Sequence, residues 1–79
     1  MIDKETIIVP GMIVRHDDGL KYLVEDVRIS TIGYEKDHVL GGFVINYTQL
    51  DQGSYDPGSK WSKDEPGFRE HFTPVADAN

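Results

Sequence analysis

The stretch that decides the fold is LKYLVEDVRIS, residues 20–30, a continuous run with the alternation of a β-strand. Its apolar residues keep to one face at first and then shift by one position: Leu20, Tyr22 and Val24, followed by Val27 and Ile29. Because strand side chains alternate with a period of two, this slip at Glu25-Asp26 predicts a β-bulge or a sharp bend. A bent strand allows a small sheet to curl over itself.

Turn signals on either side divide the rest of the chain into short elements. Asp17-Asp18-Gly19 predicts a tight turn that joins the strand 12–16 to the strand 20–30. The segment 39–50 is predicted as the third strand. The remaining expectations are a loop at 31–38, a short strand at 60–62, one helical turn at 64–68 limited by Pro66, and a closing strand at 69–74. Aromatic residues on the inward phases are predicted to form the core: Tyr22, Phe43, Tyr47, Trp61 and Phe72.

Five short strands and one helical turn predict an all-β fold, a small five-stranded SH3-like barrel. The alternative is a half-open antiparallel sheet. With 79 residues the chain has room for one domain, 1–79, and its ordered core is expected at about 7–75 because the two ends carry no packing signal.

Composition excludes several classes of function. Fourteen acidic against eight basic side chains give a net charge of −6, the wrong sign for direct binding to nucleic acid. The longest apolar runs are too short for a membrane span, and the first residues do not resemble a signal peptide, so the expected compartment is cytoplasmic. The absence of cysteine excludes disulfides and thiolate chemistry.

The order of landmarks resembles an uncharacterised family of small bacterial and phage proteins with an SH3-like barrel. The landmarks, from Gly11 to about Val75, are Gly11-x-x-x-Arg15-His16-x-x-Gly19-x-x-Tyr22-x-Val24, Val44-x-x-Tyr47, Trp61 and Phe68-x-x-x-Phe72. That family reads approximately G-x-Y-R-H-x-K-G-x-x-Y-x-V, then V-V-Y, then W-x-R-P-x-x-M-F. This chain departs from it after the tryptophan, where Lys63-Asp64-Glu65-Pro66 replaces the Arg-Pro pair. The resemblance implies the barrel and supplies no activity.

No motif predicts catalysis, a metal or a cofactor. The histidines His16, His38 and His71 fall in three separate segments without metal-ligand spacing. His16 is expected to order the first hairpin, and His71 is expected to be an exposed strand residue. The serines lack a nucleophile elbow, and the glycines lack phosphate-binding spacing. The chain is therefore not expected to be an enzyme, and no metal or cofactor is predicted.

The leading hypothesis is a non-catalytic module that binds a protein partner with a basic surface. Acidic and aromatic side chains on two loops would form its rim: Tyr34, Glu35, Asp37, Asp51, Tyr55 and Asp56. Charge complementarity would then favour a basic partner. In a phage-type variant of this hypothesis, the acidic surface imitates nucleic acid and inhibits a basic host or defence protein.

The alternative is a small-molecule or nucleotide sensor with a pocket at the barrel mouth. Its predicted lining is Arg15, His16, Tyr22, Tyr47 and Trp61. The two basic side chains could hold an anion there despite the net negative charge. The oligomeric state cannot be derived from the sequence.

Overall fold

Five strands and one short helix follow one another in the computed structural model, which describes residues 1–30 and 42–75. Their bounds are β1 (Ile13–His16), β2 (Lys21–Ser30), β3 (Gly42–Gln49), β4 (Lys60–Asp64), α1 (Glu65–His71) and β5 (Phe72–Pro74). The predicted all-β class is confirmed. The one helix among the described residues is seven residues long, so no helix in this part of the chain could cross a membrane.

The strands form one antiparallel sheet in the order β4-β3-β2-β1-β5. Among the described residues β4 pairs with β3 alone and β5 with β1 alone, so the sheet is open. The half-open sheet is therefore confirmed, and the closed barrel is corrected. The physical reason is that β4 runs directly into α1, which ends where β5 begins. The helix contacts β3, β4 and β5, and it occupies the gap that direct pairing of the edge strands would have closed.

The first hairpin and the bulge agree with the sequence prediction. Gly19 has φ of +93°, a left-handed conformation that favours glycine. The Asp18 carboxylate accepts the backbone N–H of Leu20 at 2.8 Å, which closes the turn. In the pairing of β2 with β3 the register shifts between Val24 and Asp26. The single-residue slip in the apolar pattern is thus a β-bulge, as predicted.

The core lies between the concave face of the sheet and α1. Four aromatic rings fill its centre: Phe68 and Phe72 stack with centroids 4.2 Å apart, and Tyr47 lies 5.1 Å from Phe72 and 5.3 Å from Tyr22. All four are buried, together with Val14, Val24 and Ile45. Aromatic burial of this kind supplies most of the stabilisation in a small domain. The predictions for Tyr22, Tyr47 and Phe72 are confirmed.

Two predicted core aromatics are less buried than expected. Phe43 is 45 % exposed, because it lies near the start of β3, beyond the stretch Val44–Thr48 that pairs with β4. Trp61 is half-buried at the edge strand β4 and packs only partly against the core. The core prediction is wrong for Phe43 and only partly right for Trp61.

The segment after β4 is more helical than predicted. Pro66 lies in the first turn of α1, where the missing N–H has no helical partner to lose, so it starts the helix rather than limiting it. Arg69 donates to the Glu65 carboxylate one turn away at 2.8 Å. Residues 69–71 therefore belong to α1, and the closing strand shortens to Phe72–Pro74.

The first residues pack against the other end of the chain. Ile2 is buried in the core, and its backbone N–H donates to the carbonyl of Arg69 at 2.8 Å. The Arg69 guanidinium in turn donates to the carbonyls of Asp3 and Thr6. The ordered core expected from residue 7 thus begins at Ile2. A lone isoleucine beside polar residues has no periodic pattern around it, so this contact could not be predicted from the sequence.

Candidate functional site

The buried amide of Gln49 organises the connection between β3 and β4. Gln49 is 2 % exposed. Its Nε2 donates to the carbonyls of Asp51 at 2.9 Å and Tyr55 at 2.6 Å, and its Oε1 accepts the indole N–H of Trp61 at 3.2 Å. Its backbone N–H also donates to Ser59 O at 2.9 Å. One side chain therefore fixes both the loop 51–59 and the tryptophan beside it.

Asp51 anchors the same loop to the neighbouring hairpin. Its carboxylate accepts the backbone N–H of Lys21 at 2.9 Å, and the N–H of Leu50 donates to Lys21 O at 2.9 Å. A charge-assisted hydrogen bond of this kind is stronger than a neutral one. Asp51, predicted as a rim acid, is half-buried and holds the loop in place.

The loop holds Tyr55 at the surface against Trp61. The two rings lie with centroids 5.1 Å apart and planes at 74°. Tyr55 is 59 % exposed, although its backbone carbonyl is fixed by Gln49. An aromatic side chain that is exposed but held in position can contact a partner with little further loss of conformational entropy.

Tyr55 and Trp61 form the walls of a small cleft between the β1–β2 turn and the loop 51–59. We call it the Tyr55–Trp61 cleft; its volume is about 200 Å³, and its lining is Asp18, Leu20, Tyr22, Gln49, Ser54, Tyr55 and Trp61. The loop approaches Leu20 so closely that a Cβ on Gly53 would lie 2.5 Å from the Leu20 Cδ1. Glycine at this position allows the two sides of the cleft to meet.

The charge that lines the cleft is negative. Asp18 is the only charged side chain among the described residues that line it. Burial raises the pKa of the Tyr22 hydroxyl, and the nearby carboxylates of Asp18 and Asp51 raise it further. Their field therefore reaches the floor of the cleft. Tyr47, deeper in the core, has its pKa raised to about 12, chiefly by burial.

A second, larger groove lies along β3 and β4, with a volume of about 440 Å³. Its polar side chains largely bind one another. Asn46 donates to Asp26 at 2.7 Å, and Thr48 donates to Glu25 at 2.7 Å. The Lys60 ammonium lies 3.2 Å from the Thr48 hydroxyl and 3.9 Å from the Glu25 carboxylate. These groups stabilise the bulged sheet. Because they already bind one another, they are less available to a ligand.

The structure describes three of the six residues predicted for the rim, Asp51, Tyr55 and Asp56. Tyr34, Glu35 and Asp37 lie outside the described residues. Tyr55 and Asp56 are exposed, and the Asp56 carboxylate accepts a hydrogen bond from Gln52 at 3.0 Å.

The five residues predicted for a sensor pocket do not together line either the Tyr55–Trp61 cleft or the larger groove. Arg15 donates to the carbonyl of Gly19 at 2.9 Å and braces the hairpin turn. Tyr22 lines the Tyr55–Trp61 cleft, Tyr47 lines the larger groove, and Trp61 lines both. His16 packs on Phe72, with ring centroids 4.7 Å apart, and its Nδ1 accepts the backbone N–H of Asp18 at 3.1 Å. The role predicted for His16, ordering the first hairpin, is confirmed.

His71 ends α1 instead of lying on a strand, which corrects its predicted placement. Its Nδ1 lies 2.8 Å from the Asp17 carboxylate, and this hydrogen bond lowers the pKa of Asp17. His38 lies outside the described residues. Within residues 1–30 and 42–75, no three histidine, aspartate or glutamate side chains are grouped as metal ligands would be.

The site residues that the sequence interpretation missed are Asp18, Leu20, Gln49, Gly53 and Ser54. A signal for Gln49 was present, because it continues the inward phase of Ile45 and Tyr47 at the next alternate position. A polar residue on a buried phase indicates a side chain with fixed hydrogen-bond partners. Gly53 carried no such signal, since glycine is common in any turn.

No protein-family model matches the chain, and no curated protein or solved structure shows significant similarity to it.

Proposed function

We propose that the protein is a non-catalytic binding module that takes a basic segment of a protein partner at the Tyr55–Trp61 cleft. The observation that carries the proposal is the exposed Tyr55 ring, held against Trp61 by the buried Gln49 amide. Interface residues that dominate binding are enriched in tyrosine and tryptophan and lie in preformed pockets. The cleft has both properties.

Charge selects the kind of partner. Asp18 lines the cleft, Asp51 lies behind it and Asp56 is exposed on the same loop, while the whole chain carries a net charge of −6. Complementary charge raises association rates and disfavours partners of the same sign. A segment rich in lysine or arginine therefore fits this surface better than an acidic one.

Two serine hydroxyls illustrate why we propose binding rather than catalysis. The Ser59 hydroxyl donates to Asp56 O at 2.7 Å, and the Ser62 hydroxyl donates to the Asn46 side chain. Neither bond joins the serine to a histidine or a carboxylate that could act as a general base. These hydroxyls support the loop and the sheet.

The proposal is tested with short fluorescein-labelled peptides, one rich in lysine and arginine and a matched acidic one. Binding is followed by anisotropy and by the fluorescence of Trp61, the only tryptophan in the chain. We expect the basic peptide alone to bind, and Tyr55→Ala to weaken it about 30-fold, equivalent to about 2 kcal/mol.

Phe43→Ala is the matched control, because Phe43 is a similarly exposed aromatic that lines neither cavity. It should bind like the parent, and circular dichroism should show both variants folded. Equal binding by Tyr55→Ala and the parent, or equal binding of the acidic and basic peptides, would contradict the proposal.

A further inference from the structure

We infer that the Tyr55–Trp61 cleft recognises a methylated ammonium group, such as the trimethylated side chain of a lysine. The inference rests on the proposed function in one respect, because a protein partner would present this group. The preference for the group itself is argued separately, from the walls, the hydrogen bonds and the size of the cleft.

The walls of the cleft suit a cation. The ring planes of Tyr55 and Trp61 meet at 74° and form a corner, and the buried Tyr22 lies at its floor. Aromatic faces attract cations through their quadrupoles, and tryptophan does so most strongly. A group seated in the corner touches two aromatic side chains at once, while the Asp18 carboxylate supplies the opposite charge.

The hydrogen bonds of the cleft favour a cation without donors. Both Nε2 hydrogens of Gln49 are donated to backbone carbonyls, and its Oε1 accepts the N–H of Trp61. One oxygen of Asp18 already accepts the N–H of Leu20, which leaves its second oxygen and the hydroxyls of Tyr22 and Ser54 as the other side-chain acceptors among the residues named in the lining. A lysine ammonium would bring three donors that need acceptors on burial. A trimethylated ammonium keeps its charge and brings none, so it loses less hydration when it enters.

The size of the cleft limits the ligand to one headgroup. Its volume of about 200 Å³ lies below the roughly 300–1,000 Å³ that is typical of small-molecule pockets. A nucleotide is too large for a cleft of this volume, whereas a single alkylammonium group fits between its walls. The negative field that Asp18 and Asp51 exert on Tyr22 agrees with a positive occupant.

Small probes test the chemistry of the cleft without any partner. Choline and the neutral alcohol 3,3-dimethylbutan-1-ol have nearly the same shape and differ in charge. In titrations followed by Trp61 fluorescence at constant ionic strength, we expect choline to bind saturably and at least about tenfold more tightly than the alcohol. Equal affinities, or no saturable signal for choline, would overturn the inference.

Peptides then connect the cleft to the partner. A basic peptide with one trimethyl-lysine should bind about tenfold more tightly than its unmodified counterpart. Tyr55→Ala should abolish this difference, Phe43→Ala should keep it, and Asp18→Asn should weaken both peptides, because both carry the same positive charge. Asp18→Asn retains an oxygen that can accept the Leu20 N–H, so it tests the charge without opening the turn.

The two proposals fail in different ways. If the unmodified basic peptide depends on Tyr55 but methylation adds nothing, the preference for methylated ammonium is wrong and the proposed function stands. If choline binds but neither peptide does, the cleft chemistry stands and the basic protein partner is wrong. If neither choline nor any peptide binds, both are wrong.

Discussion

Gln49→Leu should destabilise the protein by about 3 kcal/mol, because leucine has similar volume and none of the amide's hydrogen bonds. Three side-chain hydrogen bonds are lost, to Asp51 O, Tyr55 O and Trp61 Nε1. Each contributes about 1 kcal/mol, and groups left buried without a partner cost more. A chain of this size has roughly 4–12 kcal/mol of stability in all, so the variant should fold and remain measurably weaker.

The measurement is urea unfolding followed by far-ultraviolet circular dichroism and by Trp61 fluorescence, with thermal melts alongside. A loss of about 3 kcal/mol corresponds to a fall in Tm of roughly 12–24 °C. Because Gln49 fixes the loop 51–59, the variant should also lose affinity at the Tyr55–Trp61 cleft under conditions where it is fully folded.

Gln52→Leu is the matched control, since Gln52 lies in the same loop, is exposed and donates to Gly53 O and the Asp56 carboxylate. Its stability should stay within about 0.5 kcal/mol of the parent. If Gln49→Leu lost less than about 1 kcal/mol, or no more than Gln52→Leu, the view of Gln49 as the organiser of the loop would be refuted.

Three further changes test other parts of the structure. Gly53→Ala places a methyl group 2.5 Å from the Leu20 Cδ1; the leucine can rotate away, so we expect a loss of only about 1 kcal/mol in unfolding free energy but weaker binding in the cleft. Burial raises the pKa of Tyr47 from 10.0 to about 12. Between pH 10 and 12 the unfolded state loses this proton more readily than the folded state, so the free energy of unfolding should fall by up to about 3 kcal/mol. The hydrogen bond from His71 lowers the pKa of Asp17 below 3.8. The stabilisation from this bond is therefore present above pH 3.8, and it should be lost as the pH falls through the pKa of Asp17 in the folded state. Acid unfolding measures this loss.

Each of these changes has its own control. Gly42→Ala meets open space and should leave stability unchanged. Tyr47→Phe should remove its share of the loss above pH 10 and leave that of Tyr22, whose pKa is also raised, and Asp17→Asn should remove its share of the acid dependence. A parent-like alkaline transition in Tyr47→Phe would show that another group causes it, and an unchanged acid transition in Asp17→Asn would do the same.

Features that depend on residues adjacent in the sequence could be predicted from the sequence. The bulge after Val24 follows from the phase of the apolar residues, and the Gly19 turn follows from its backbone chemistry. The open sheet could not be predicted in the same way. It depends on where β4 ends relative to α1, and Pro66 fits both the end of one helical turn and the start of a longer helix.

The candidate site was only partly predicted, because its contacts also depend on tertiary packing. Tyr55 stood out as an aromatic in a turn, but its contact with Trp61 depends on a loop geometry that Gln49 fixes from the buried face. The packing of Ile2 against Arg69 joins residues far apart in the sequence, and no local pattern reports such a contact. Pairings set by tertiary packing thus lay beyond the sequence patterns.

The contacts between the two ends of the chain determine which part of the fold opens first. β5 has three residues and, within the part of the chain that the structure describes, pairs with β1 alone. The segment around Ile2 is attached to α1 and β5 by a few hydrogen bonds and by the buried Ile2 side chain. The amides of Ile2 and Val75 should therefore exchange with solvent sooner than those in the centre of β2 and β3. Every residue that lines the Tyr55–Trp61 cleft comes from the stretch 18–61, ahead of α1 and β5. A fluctuation that releases the first residues and residues 73–75, while Phe72 stays packed on Tyr22, would leave the cleft assembled. The termini could then open while the proposed ligand stays bound.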